Sequence, residues 1–130
     1  MTYYTQEITR IKGICFSNEA QLDIAIQTKK YIDTCFDQAI NLELLARRQF
    51  TSKYHLIRVF KKYYGTTPRQ YLIQTRVEQA KKMLRSGQSV SDTCYAIGFE
   101  SIHSFSKLFK SKVGIPPSIY RSATFDKSKK

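Results

Sequence analysis

The hydrophobic and polar positions of this chain follow a helical period over most of its length. From Glu19 to about Phe36 the apolar side chains recur at three- and four-residue spacing, and Ser17 or Asn18 can cap the start, so we predict a helix there. The same period predicts further helices over about 42–48, 53–64, 68–86, 90–97 and 101–113. The predicted fold class is therefore all-α.

One unit occurs twice along the chain. The segment from Phe60 to Tyr71 recurs from Phe109 to Tyr120, 49 positions later. In each copy a short helix, a turn and a longer helix form a helix-turn-helix pattern. The second turn is longer by one residue, and its glycine, Gly98, has no counterpart in the first copy.

This repetition divides the chain into five parts. The predicted boundaries are an N-terminal arm over 1–20, a first helix-turn-helix subdomain over 21–67, a linker helix over 68–86, a second helix-turn-helix subdomain over 87–121 and a basic tail over 122–130. At 1.5 Å per residue the linker helix is about 27 Å long, which suits binding at two places. The arm carries three isoleucines at three-residue spacing, by which it can pack on the core.

The net charge of +12 points to a polyanionic partner. Residues 41–130 hold 18 basic and five acidic side chains, so the positive charge belongs to the repeated units. Nucleic acid or an anionic membrane surface is the natural partner of such a region. No apolar run is long enough to span a membrane, and the N-terminus lacks a signal-peptide pattern, so we expect a cytoplasmic protein.

The reactive side chains are few and scattered. Cys15, Cys35 and Cys94 are odd in number and lack the spacing of a zinc site or a disulfide framework. His55 and His103 have no carboxylate or cysteine at the spacing of metal ligands or of a catalytic triad. We therefore predict no metal, no cofactor and no enzymatic activity.

Two sets of residues resemble the DNA-binding domain of the AraC/XylS family of bacterial transcription regulators, with coverage of about 21–121. The first set is Arg58-Val59-Phe60-Lys61 with Gly65 and Pro68, and Arg76, Ala80 and Leu84 lie where the family's linker helix has the same residues. The second set is Gly98-Phe99, Phe105, Phe109-Lys110, Gly114, Pro117 and Tyr120-Arg121. The chain departs from the family at Thr93, where a large aliphatic side chain is usual, and at Cys94, where alanine is usual.

The resemblance implies about seven helices, with two helix-turn-helix subdomains on a central linker helix. It implies that the second helix of each subdomain enters one of two successive major grooves. The base-contacting positions carried over are Tyr54, Ile57, Arg58, Ile102, His103, Ser106 and Lys107, and the phosphate-contacting positions are Lys53, Lys61 and Lys110. Three alternatives stay open: Arg58 can contact phosphate or solvent instead, Ile102 lies at core spacing with Phe105 and Phe109, and the exposed His103 either contacts a base or phosphate or contacts neither.

The predicted function is sequence-specific binding of double-stranded DNA to regulate transcription. RNA polymerase is a second candidate partner, whereas no membrane and no small-molecule ligand within this chain are expected, and a monomer suffices for DNA binding. The alternative function is a basic helical module that binds an acidic protein or an anionic surface without sequence recognition. Residues 1–20 are too short for a sensor domain, so the chain is a compact regulator, which Met1 favours, or a domain of a longer protein.

Overall fold

A computed structural model describes residues 17–128, with side chains as far as Phe125, so the arm predicted over 1–20 lies almost wholly outside the described residues. Seven α-helices occur in this range: α1 Asn18–Cys35, α2 Leu42–Arg48, α3 Lys53–Tyr64, α4 Pro68–Arg85, α5 Val90–Ala96, α6 Ile102–Val113 and α7 Pro117–Ser128. No strand interrupts them between residues 17 and 128. The predicted all-α class with two helix-turn-helix subdomains is confirmed.

The chain divides into two compact units. Unit 1 contains the described residues up to Thr34 together with Ile40–Tyr71, and unit 2 contains Cys35–Ala39 together with the residues from Leu72 onward. The helix α4 starts in unit 1 and continues into unit 2, so it is the linker helix that the sequence predicts.

The core of unit 1 comes from one face each of α1, α2 and α3. Its buried apolar side chains are Ile24, Ala25, Ile32, Leu45, Ala46, Leu56, Val59 and Phe60. Thr28 is also buried in α1, and its hydroxyl donates to the carbonyl of Ile24 at 2.7 Å. The end of α3 is tied to the start of α1, because the Tyr63 hydroxyl donates to the carbonyl of Asn18 at 3.2 Å.

The core of unit 2 combines α4, α5 and α6. Its buried cluster consists of Val77, Ala80, Leu84, Cys94, Ile97, Phe105 and Phe109. A row of aromatic rings continues from it: Phe105 and Phe109 lie 5.8 Å apart between ring centroids, and Phe109 and Tyr120 lie 5.4 Å apart. These contacts hold α6 and α7 against the same core.

The two helix-turn-helix turns have the same backbone course. In the second turn Gly98 has φ of 97°, and in the first turn Phe50 has φ of 54°. Each turn is closed by an equivalent bond, from the Thr51 amide to the Ala46 carbonyl at 3.0 Å and from the Phe99 amide to the Cys94 carbonyl at 3.1 Å. Gly98 therefore does have a structural counterpart in the first turn, which is Phe50 in the left-handed conformation. Comparing residue types did not reveal it.

The last helix reaches further than the boundary expected at residue 121. Arg121 anchors it, because its guanidinium donates to the Gly87 carbonyl at 2.8 Å and to the Gln88 carbonyl at 3.0 Å. The ring of Phe125 lies so close to Gly87 that a Cβ on that residue would be 2.5 Å away. The start of the predicted tail thus packs on the turn between α4 and α5.

Candidate nucleic-acid interface

The second helix of the first helix-turn-helix subdomain, α3, is the predicted first recognition helix, and it begins and ends at local signals in the sequence. The Ser52 side chain accepts from the His55 amide at 3.1 Å, and the helix ends at Gly65 in the left-handed conformation. The face formed by His55, Leu56, Val59 and Phe60 is buried. The opposite face is consequently directed away from the core of unit 1.

The predicted contact residues of α3 lie on that outer face. Tyr54 has 80% of its surface accessible, and Arg58 and Lys61 are also exposed. Ile57 is half-buried at the edge of the face, so only part of its side chain is accessible. This face offers a guanidinium, an ammonium and a phenol side by side.

One cation of this surface has an internal partner. The Lys53 ammonium lies 3.3 Å from the Glu43 carboxylate, which belongs to the first turn of α2. Both side chains are exposed, so the pair is weak and its ammonium can exchange to another anion. The sequence did not reveal Glu43 as a neighbour, because ten positions and a turn separate the two residues.

The second recognition helix, α6, is built in the same way. The Ser101 side chain accepts from the Ser104 amide at 3.3 Å, and the helix ends at Gly114. Phe105 and Phe109 face the core of unit 2. The outer face therefore carries the predicted contact residues Ile102, His103, Ser106, Lys107 and Lys110.

The structure places these side chains at different depths. His103, Lys107 and Lys110 are exposed, whereas Ser106 is half-buried. Ile102 is 40% exposed and does not belong to the buried cluster of unit 2. Of the two alternatives that the sequence left open for Ile102, the structure thus favours the outer surface.

Arg76 supports the turn before α6, a role that was not predicted from the sequence. Its Nε donates to the Phe36 carbonyl at 2.7 Å and its Nη2 to the Gln38 carbonyl at 2.9 Å. Burial lowers the pKa of its guanidinium, and the nearby Asp37 carboxylate acts in the opposite direction. The guanidinium also lies 5.6 Å from the ring centroid of Phe99, so Arg76 braces the turn that precedes α6.

The same turn leaves no space for a side chain at Gly98. A Cβ there would lie 2.9 Å from the Asp37 carbonyl oxygen and 3.1 Å from Nη2 of Arg76. Glycine is therefore required both by the positive φ and by the close approach of the 35–39 segment. This arrangement fixes where α6 starts within unit 2.

A metal site, a reactive cysteine or a membrane-spanning helix among the described residues would indicate other functions. Between residues 17 and 128 no three histidine, cysteine or acidic side chains are close enough to hold a metal ion. Burial raises the pKa of the Cys94 thiol, which makes it a poor nucleophile. In the same range none of the helices combines the length and the hydropathy needed to cross a bilayer.

Two outward faces with cations, each backed by a buried face, are the arrangement of a double helix-turn-helix domain. Residues 45–123 match the profile of a family described as a helix-turn-helix domain. The transcriptional activator AarP of Providencia stuartii is 32% identical over 78% of this chain and 76% of AarP. The chain belongs to the AraC family of helix-turn-helix transcription regulators. The family that the sequence resembles is thereby confirmed.

Other members of the AraC family are similar over the same region. The bifunctional transcriptional activator and DNA repair enzyme AdaA of Bacillus subtilis is 37% identical over 71% of this chain. The chain spans only 44% of AdaA, and the aligned part is the helix-turn-helix domain. Among solved structures, the DNA-binding domain of AdpA in complex with a target DNA superposes with a TM-score of 0.72 at 28% identity, over 76% of this chain and 90% of that chain.

Proposed function

We propose that this chain binds double-stranded DNA sequence-specifically and regulates transcription, with α3 and α6 in successive major grooves. The observation that supports this most directly is that each recognition helix buries one face and exposes a second face bearing cations and hydrogen-bonding groups. Major grooves admit a helix with such a face, and cations neutralise the flanking phosphates. The similarity to the DNA-binding domain of AdpA, which was solved with a target DNA, supports the same proposal.

The proposed contacts divide into two kinds. Base edges are contacted by Tyr54, Ile57, Arg58, Ile102, His103, Ser106 and Lys107, and phosphates by Lys53, Lys61 and Lys110. Arginine can donate two bonds to guanine, which is worth about 1–3 kcal/mol of discrimination against another base. The exposed lysines attract all sequences equally, because phosphates carry no sequence information.

The remaining parts of the proposal concern partners and place. One chain carries both recognition helices, so a monomer suffices for binding, and RNA polymerase is the second partner. We place the protein in the bacterial cytoplasm, where the DNA of its relatives lies. We propose no enzymatic activity and no small-molecule ligand for this chain.

A selection from randomised double-stranded DNA with the purified full chain tests the main proposal. We expect an enriched sequence with two separate conserved blocks, one for each recognition helix. Retention of DNA without any enriched sequence at physiological salt would refute sequence recognition and support the alternative of a non-specific basic module.

Two substitutions test the division of contacts. Arg58→Ala should relax the preference at one base position, at a cost of about 1–3 kcal/mol on the selected site only. Lys110→Ala should weaken selected and random DNA alike and reduce the slope of log affinity against log salt by about one. Equal losses of both variants on both DNAs would contradict the assignment, while specific binding by the unmodified chain would still stand.

A further inference from the structure

Unit 1 has a groove with apolar and charged lining residues that the proposed DNA contacts do not use. It has a volume of about 840 Å³ and is lined by the start of α1 and by the turn between α2 and α3. Leu22 and Ile26 of α1 and Phe50 of the turn form its apolar part. Because no residue of α3 lines the groove, an occupant would leave the outer face of the recognition helix uncovered.

Phe50 is the unusual member of this groove. Its ring is 84% exposed, and its backbone has φ of 54°, a conformation in which a bulky residue is an outlier. Leu22 beside it is 41% exposed. The left-handed backbone belongs to the turn, as it does at Gly98, but an exposed aromatic ring next to other exposed apolar groups indicates a surface that is covered by something.

The segment before α1 starts at the groove itself. Ser17, the first described residue, is one of the residues that line it. Sixteen residues precede Ser17 in the sequence, and at about 3.3 Å per extended residue they can reach any point of the groove. A tethered segment of this length also binds at a high effective concentration, so weak contacts are sufficient.

The composition of this segment matches the groove. Its apolar side chains include Ile8, Ile11 and Ile14, which recur at three-residue spacing. Its charged side chains are Arg10, Lys12 and Glu7, which leave one net positive charge, whereas the described rim of the groove carries the carboxylates of Glu19 and Asp23 beside one cation, Arg48. Apolar groups and charges are thus both complementary.

We propose that residues 1–16 of the same chain dock into the groove formed by Leu22, Ile26 and Phe50. The isoleucines cover the exposed ring and the two aliphatic side chains. The docked segment braces the turn from which α3 starts, and so stabilises unit 1 without contacting DNA. This docking does not depend on the proposed function.

Methyl NMR and thermal unfolding of the full chain test the docking. The double variant Ile8→Ser, Ile11→Ser should shift the methyl signals of Leu22 and Ile26 and lower Tm by roughly 4–8 °C. The control is Ile119→Ser, which removes an exposed isoleucine that lies in unit 2 and does not line the groove. We expect the control to leave those methyl signals unchanged.

A double-mutant cycle with Phe50→Ala identifies the contact. Alanine removes the ring of Phe50 but meets the same left-handed backbone conformation. The substitutions Ile8→Ser and Ile11→Ser should therefore lower Tm clearly less in the Phe50→Ala protein than in the unmodified protein. Unmoved Leu22 and Ile26 methyl signals in the arm variant, or fully additive effects on Tm, would overturn the proposal. A dimer in sedimentation velocity that Phe50→Ala abolishes would also overturn it, since a second copy would then occupy the groove.

Discussion

Replacing Gly98 by alanine should destabilise unit 2 much more than the same replacement at Gly114. Both glycines have nearly the same φ, 97° and 100°, so alanine meets the same backbone strain of about 1–2 kcal/mol at each. Part of this strain is offset because alanine restricts the unfolded chain, by about 0.4–1 kcal/mol. The backbone term therefore leaves a net cost of about 1 kcal/mol at either position.

The surroundings of the two glycines differ. A Cβ at Gly114 would have nothing within 4 Å, whereas at Gly98 it would lie 2.9 Å from the Asp37 carbonyl oxygen. A backbone carbonyl cannot rotate away as a side chain can, and overpacking of this kind costs about 1–3 kcal/mol more. We thus expect a loss of about 2–4 kcal/mol for Gly98→Ala against about 1 kcal/mol for Gly114→Ala.

Amide hydrogen exchange in α5 and α6 measures this difference within unit 2, and urea unfolding followed by circular dichroism gives an independent value. Both variants are measured in unit 2 and carry the same backbone strain. The difference in their stabilities therefore gives the cost of the contact between the new Cβ and the Asp37 carbonyl. Equal losses of stability for the two variants would refute the argument that the 35–39 segment excludes a side chain at Gly98.

Two further predictions concern polar side chains. The buried Thr93 hydroxyl has no hydrogen-bond partner among the described residues, so Thr93→Val should raise the free energy of unfolding by about 1 kcal/mol. The control Thr28→Val removes the hydrogen bond to the Ile24 carbonyl and should not raise the free energy of unfolding. Glu43→Gln frees the Lys53 ammonium and should strengthen binding to all DNA up to about fivefold in a fluorescence anisotropy titration, with Glu78→Gln as the control. An unchanged affinity would show that the pair does not compete with phosphate.

The helices could be predicted from the sequence because their ends depend on neighbouring residues. Asn41 and Ser52 accept bonds from amides three positions later, and proline starts α4, so the signals lie within one helical turn. The outer faces of α3 and α6 follow from the same period. Solvent exposure of Tyr54, Arg58 and Lys107 was therefore expected, while their contacts with DNA stay a prediction.

What the sequence could not reveal depends on contacts between distant positions. Arg76 binds carbonyls 38 and 40 positions earlier, and nothing local marks them as acceptors. The left-handed backbone of Phe50 was equally hidden, because the conformation favours glycine and the residue type argues against it. Only the positive φ and the matching turn-closing hydrogen bonds show that Phe50 and Gly98 occupy equivalent positions in the two turns.

The predicted recognition helices α3 and α6 share a scaffold but expose different side chains, and this has a consequence for the DNA that we propose they bind. The outer face of α3 exposes Tyr54 and Arg58, whereas the outer face of α6 exposes the aliphatic Ile102 beside His103 and Lys107. On the proposed function, arginine distinguishes guanine by its two acceptors and an aliphatic group distinguishes thymine by its methyl. The two halves of the binding site should accordingly differ in sequence, and a single chain should bind them in one orientation only.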